Sequence, residues 1–271
     1  MPATAVSPSA ASAPRIRRGP WLPPRALGLL TLAALLLAWE VLPRLELVPP
    51  VLVAPLSTVL ESGVASAGTF AEAMGVTMVE IAFALVFAYG VGGILGLVLG
   101  SVKPLRGAVL PLVSSIYAVP FIVAYPLLTA WIGIGMESKV IFAGIYGMFP
   151  MILATAAGVR TVDPAFVRAA RSMGATRAQI LFQVLVPAAF PSILSGLRIA
   201  GSLVTIGVVV AEMLASTAGL GFLITQYRSM FQTPEVYFGI ILVLCLTGFL
   251  DFLIGCVERK AAAWRPRKEL I

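Results

Sequence analysis

Residues 163–187 read DPAFVRAARSMGATRAQILFQVLVP, a polar, arginine-bearing island between strongly apolar segments. Two helix signatures meet in it at one glycine. Asp163 stands at a helix N-cap and Pro164 takes the first helical position, where its missing N–H costs nothing. Phe166, Ala169, Ala170 and Met173 then share one face. Thr176 followed three residues later by Gln179 is a capping box, and Ile180, Leu181, Val184 and Leu185 make the apolar face beyond it. Gly174 supplies the turn between the two. Helices this short do not hold together alone, so their apolar faces must dock on the rest of the chain or on another protein.

The rest of the chain is of a different kind. Of its 271 residues 59% are hydrophobic and 11% charged, whereas about a quarter of a soluble domain is charged. This is the composition of an all-α, polytopic membrane protein. The formal charge of +7 does not point to nucleic acid, because the basic residues sit in short loops and tails and no basic surface interleaved with aromatics accompanies them. The absence of histidine removes imidazole acid–base chemistry and His-ligated metal sites, and no metal site is expected. Cys245 and Cys256 lie in one apolar run, roughly 16 Å apart along a helix, too far to bridge each other.

Five apolar runs are long enough to cross about 30 Å of hydrocarbon, Val76 to Gly100, Val109 to Trp131, Val140 to Val159, Ala188 to Leu214 and Tyr237 to Val257, and a run before them, Ala26 to Leu42, is near the short limit for a span. That leading run is read as a retained helix, since no small-x-small cleavage site follows it. Residues 1–24 read as a disordered basic tail, 25–260 as the membrane domain with its cytoplasmic loop at 160–187, and 261–271 as a second basic tail. Pro43 to Gly75 reads as a connection holding a short surface helix opened by Pro55 or Ser57. Arg15, Arg17, Arg18, Arg25, Lys103, Arg106, Arg160, Arg168, Arg171, Arg177, Arg259, Lys260, Arg265, Arg267 and Lys268 fall on one side, and Arg44, Lys139 and Arg228 on the other. Fifteen against three puts both termini and the island in the cytoplasm.

At this point the residues resemble a known family. Ala169, Ala170, Gly174, Val184, Val186 and Pro187 look like the EAA loop of ABC importer permeases, whose coupling helix sits in a cleft of a separate ATP-hydrolysing subunit. The segments Ala118 to Val140 and Gly196 to Ile224, with Asp251, Glu258, Arg259 and Trp264, are similar to the nitrate, sulfonate and taurine branch. The resemblance implies the type I importer permease fold in a bacterial inner membrane, a homodimer, two ATPase subunits and an extracytoplasmic binding protein. It also implies ATPase coupling through Asp163, Pro164, Phe166, Arg168, Ala169, Ala170, Arg171, Met173, Gly174 and Ala175. Where the family usually has Glu this chain has Arg168, so a role that needs an acid does not carry over.

Independently of the family, the chain has no Gly-Lys pair and so no Walker A loop. ATP and magnesium are therefore expected on a partner chain, with no cofactor bound and no catalysis here. Glu80, Arg198, Glu212 and Asp251 lie within apolar runs, where an ionised group costs roughly 2.5–3.5 kcal/mol and tends to face a cavity or a partner. Glu80 and Glu212 are read near the outer ends of their helices, either on the translocation pathway or at interfacial water. Arg198 and Asp251 are read as structural, paired if their helices adjoin. Gly92, Gly96 and Gly100, spaced by four, suit close helix approach. Pro120 and Pro126 interrupt the third span, as pathway markers or as plain kinks. Gly219 and Gly221 read equally as a tight turn or, by the resemblance, as a gate or binding-protein contact. The competing function is an ion-coupled secondary transporter using Glu80 or Glu212, against which stands the lack of an internal repeat.

Overall fold

The structure, a computed structural model, describes residues 23–49 and 51–262. The N-terminal tail expected over 1–24 lies outside the described residues but for its last two positions, and the C-terminal tail lies outside them beyond Ala262. All regular structure among the described residues is helical. The physical reason is that hydrocarbon offers no partner for an exposed N–H or C=O, so each apolar segment must bond its own backbone.

Helix α1 (Pro24–Arg44) leads to a short α2 (Leu56–Ala65) and a 35-residue α3 (Ala67–Ser101). The helices α4 (Lys103–Tyr117) and α5 (Tyr125–Ile132) follow, then α6 (Met136–Arg160) and α7 (Pro164–Ser172). Next come α8 (Arg177–Gln179), α9 (Val186–Leu214), α10 (Leu220–Ser229) and α11 (Thr233–Ala262). Five helical stretches are long and apolar enough to span: Ala26–Arg44, Ala67–Ser101, Met136–Arg160, Arg177–Leu214 and Thr233–Arg259. The sixth is a bent pair, Lys103–Tyr117 with Phe121–Ile132, folded through 83°.

Three boundaries differ from the sequence reading. The connection expected over Pro43 to Gly75 is mostly helix: α2 starts directly after Pro55, and α3 begins nine residues ahead of Val76. Glu80 therefore sits about 20 Å along α3, not at its end. The third span is broken rather than kinked. Pro120 is extended at the break (φ −60°, ψ 89°) and starts a 3-10 turn over Phe121–Ala124, while Pro126 occupies the first turn of α5, where proline is harmless. Finally, the fifth span does not start at Ala188. The capped helix at Arg177 runs through a π-helical turn, Ile180–Leu185, straight into α9. Pro187 is the cause we assign, since its ring would clash with a carbonyl four residues back and the wider turn makes room.

Helices α3, α6 and α9 form the centre, around Ile81, Ala84 and Ala88, Ala143, and Val204 and Val208. Between lipid-facing helices there is little hydrophobic gain, so association depends on close van der Waals approach. A methyl at Gly96 would stand 2.6 Å from Thr155 Cβ, and one at Gly100 2.8 Å from Val159 Cβ, so α3 touches α6 backbone to side chain there. Gly92 meets Met148 and Met151 in the same way. By contrast α1 packs only near its outer end, where Trp39 Nε1 donates to the Ala54 carbonyl (3.0 Å) and its ring lies 5.6 Å from that of Tyr237.

Candidate functional site

Two polar regions interrupt the apolar scaffold, one at each end of the spans. The outer one is built around the start of α10. A helix begins with N–H groups that have no partner within it, and at α10 these are buried: Leu220 is fully enclosed. Gly219, at the N-cap position, has no side chain to offer. The caps come from other helices. Thr77 Oγ1, on α3, accepts from Leu220 N (2.9 Å), and Glu212 Oε2, near the end of α9, accepts from Gly221 N (2.8 Å). Thr77 Oγ1 in turn donates to Glu212 Oε1 (2.8 Å). A carboxylate at a helix N-terminus is favoured by the macrodipole as well as by the hydrogen bond. Gly219 adopts φ +106°, and a Cβ there would run into the Glu212 carboxylate. A Cβ on Gly221 would stand 2.8 Å from Glu212 Cβ. The carboxylate thus requires a glycine at 219, while Gly221 is required by the backbone of α9, since a Cβ there would run into the Val209 carbonyl oxygen.

The loop before α10 is pinned by a further set of bonds. Lys139 Nζ, from the first turn of α6, donates to Ser216 Oγ (3.0 Å), and Ser216 Oγ donates to the Ala218 carbonyl (2.7 Å). Tyr125, buried in α5, donates from its hydroxyl to the Ala215 carbonyl (3.1 Å). Lys139 is also ion-paired with Glu80 Oε1, both side chains being almost wholly buried. The interfacial-water reading of Glu80 and Glu212 does not hold, since they are 2% and 1% exposed. Lys139, counted on the outer side, is taken up by this pair rather than left free. Thr77, Lys139, Ser216 and Tyr125 were missed by sequence reasoning. A threonine in an apolar run and a lysine at a helix start carry no signal of their own, because their partners in the cluster lie 59 or more residues away.

At the cytoplasmic end, α7 is capped as the sequence indicates: Asp163 Oδ1 accepts from Ala165 N (2.8 Å). The capping box closes through Thr176 N to Gln179 Oε1 (2.8 Å) and Gln179 N to Thr176 Oγ1 (3.3 Å). Gly174 turns the chain at φ +80°, a conformation disfavoured for residues with a Cβ. The apolar set divides on folding. Ala170 and Ile180 are buried, while Phe166 and Met173 stand 61% and 81% exposed. Pro164, Arg168, Ala169 and Arg171 are exposed beside them and Ala175 is half-buried. Between the two regions Arg198 Nε bonds Asp251 Oδ1 (2.8 Å) and its Nη1 approaches Glu258 Oε2 (3.5 Å), tying α9 to α11. Pro120 and Pro126 are both exposed at the bend. Among the described residues no group of three or more Cys, Asp or Glu side chains could hold a metal ion.

The family described as binding-protein-dependent transport system inner membrane component matches residues 88–262. The taurine transport system permease protein TauC of Escherichia coli is 32% identical over 241 residues, which cover 86% of this chain and 88% of the relative. The putative aliphatic sulfonates transport permease protein SsuC of Bacillus subtilis is 29% identical, covering 89% and 88%. The formylaminopyrimidine transport permease protein ThiX of Halalkalibacterium halodurans is 30% identical, covering 86% and 94%. Among solved structures, an inward-facing conformation of the MetNI methionine ABC transporter matches with TM-score 0.65 at 19% identity, over 73% of this chain and 98% of that one. A bacterial alginate ABC transporter matches with TM-score 0.62 at 15% identity, over 87% and 95%, and both likenesses bear on the fold alone. Six apolar spans, one of them broken, a capped helix pair leading into the fifth, and these matches together place the chain in the family of inner-membrane permease components of binding-protein-dependent transport systems.

Proposed function

We propose that this chain is the membrane-spanning subunit of an ABC importer for a small sulfonate, amino-sulfonate or heterocyclic solute, working as a homodimer with two ATPase subunits and an extracytoplasmic binding protein. The solute classes rest on the names of the relatives, for taurine, aliphatic sulfonates and formylaminopyrimidine. ATP and magnesium sit on the ATPase subunits, and this chain contributes motion without catalysis. The observation that carries the reading is the cytoplasmic helix pair. Phe166 and Met173 project from a helix held by an N-cap, on the side the charge count assigns to the cytoplasm. Behind Gly174 the chain continues without interruption into the fifth span. A displacement of α7 by a closing ATPase dimer is thus passed to a rigid 38-residue helix, which is what alternating access requires.

The test uses the exposed residues, because Ala170 is buried and its replacement by a charge would disturb folding. Met173→Asp and Phe166→Asp leave membrane insertion and detergent-extracted yield unchanged and lower co-purification of the ATPase encoded beside this gene roughly tenfold, as loss of an interface anchor does. Undiminished co-purification would show that α7 is not the dock. In proteoliposomes, uptake is driven by ATP; uptake driven by an ion gradient without the ATPase would overturn the importer reading.

A further inference from the structure

The outer polar region buries two carboxyl groups beside one lysine: Glu80, Glu212 and Lys139. Glu80 stands one turn beyond Thr77 on α3, and Thr77 bonds Glu212, so the two acids come within hydrogen-bond reach of each other. Lys139 Nζ is taken by Glu80 Oε1 and Ser216 Oγ. Were both acids ionised, two like charges would meet where water does not reach, with one cation beside them; a proton shared by the pair removes that repulsion. Two details of the hydrogen bonding agree. Glu80 Oε2 is buried and accepts from no N–H or hydroxyl among the described residues, which leaves a carboxyl proton of Glu212 as the donor at hand. Thr77 has one hydroxyl hydrogen for two acceptors, the Ala73 carbonyl (3.1 Å) and Glu212 Oε1 (2.8 Å), and a hydrogen on Glu212 lets both contacts stand.

We propose that Glu80 and Glu212 together bind one proton, and that this shared proton locks the loop 215–219 and the start of α10 against α3. Glu212 caps Gly221, Thr77 caps Leu220 and Lys139 holds Ser216, so the loop is fastened to this one cluster. The elements packed around it bring few other titratable groups. Helix α5 brings Tyr125, whose hydroxyl is spent on the Ala215 carbonyl, α6 adds Glu137, which is exposed, and the start of α10 brings backbone N–H groups. Glu72 of α3 stands at the rim of a cavity of about 680 Å³ that Glu80, Lys139 and Ser216 also line. When the loop lifts, the proton passes to water entering by that cavity, and the two carboxylates left behind repel until one is protonated again. The proton is a lock on the loop whatever solute the chain carries.

The closed chain holds a proton that an ordinary glutamate, with a pKa of about 4.3, has lost at neutral pH once unfolded. Stability therefore falls as pH rises, the unfolding constant growing by up to about tenfold per pH unit. Between about pH 5 and 8 the side chain that ordinarily titrates is histidine, and this chain has none. Steric-trap unfolding of the full chain in bicelles is expected to show that rise across this window. Glu212→Gln puts an amide N–H where the proton stood and is expected to flatten the slope to less than about twofold per unit. A flat profile in the parent, or an unchanged slope in Glu212→Gln, would overturn the shared proton. Infrared spectroscopy reads the same proton in the parent alone: at about pH 7, where ordinary carboxyl groups are ionised, the carbonyl band of a protonated carboxyl is expected, and its absence would overturn the site even if Glu212→Gln failed to fold. Hydrogen exchange of residues 215–221, corrected for the intrinsic pH dependence of exchange, is expected to quicken over the same window in the parent; protection that does not change with pH would overturn the lock.

Discussion

Replacing Thr77 by valine tests whether a buried cap supplied from a distant helix holds the outer loop. Valine has nearly the same shape, so packing in α3 is preserved, but besides its bond to the Ala73 carbonyl the hydroxyl's two bonds to the outer loop vanish together. Leu220 N–H loses its acceptor and Glu212 Oε1 loses its donor. Thr77 and Leu220 are both fully buried, so water cannot replace the hydroxyl without opening the loop. A buried donor left unpaired costs about 1–3 kcal/mol, and a hydrogen bond to a carboxylate is worth about 1.5–3 kcal/mol, which together give an expected loss of roughly 2.5–6 kcal/mol. Thr77→Ser keeps the hydroxyl and gives up one methyl, for about 0.8 kcal/mol. Steric-trap unfolding in bicelles measures both variants against the parent, with ATP-driven uptake as a second readout. A Thr77→Val loss no larger than about 0.6 kcal/mol, the average for polar contacts between membrane helices, would refute the idea that this hydroxyl is a cap without substitutes.

Lys139→Met strands Glu80 as a buried, unpaired carboxylate and is expected to cost about 3–5 kcal/mol in the same assay, while Lys139→Met combined with Glu80→Leu recovers most of that loss. Failure of the double variant to recover would show that the ion pair contributes beyond its own neutralisation. Gly96→Leu drives a side chain into Thr155 at the α3–α6 contact and is expected to cost at least about 1–3 kcal/mol by overpacking, seen as a reduced folded fraction on extraction. Gly75→Leu, on the same helix but facing open space, serves as its control.

Local chemistry was legible in residues 163–187. Asp163, Pro164, Thr176, Gln179 and Gly174 interact within a few positions of one another, and each cap and turn they imply is found. Composition and charge likewise determined an all-helical membrane protein, since hydrocarbon permits few other solutions. The spacing of Gly92, Gly96 and Gly100 announced a close approach, though not that α6 would be the helix approaching.

Only the tertiary structure decided what the charged residues inside the spans do. Glu212 caps a helix that begins eight residues after it, Glu80 meets a lysine that the sequence offered only as an outer-side charge, and Arg198 finds Asp251 across α9 and α11. A sequence lists these groups but not the distances between them. In a low-dielectric interior the partner at hand sets whether a charge is a cap, a pair or a site. The continuity of Arg177–Leu214 belongs to the same class. A capping box and a proline each suggest a boundary, and the helix runs through because a π-turn absorbs Pro187.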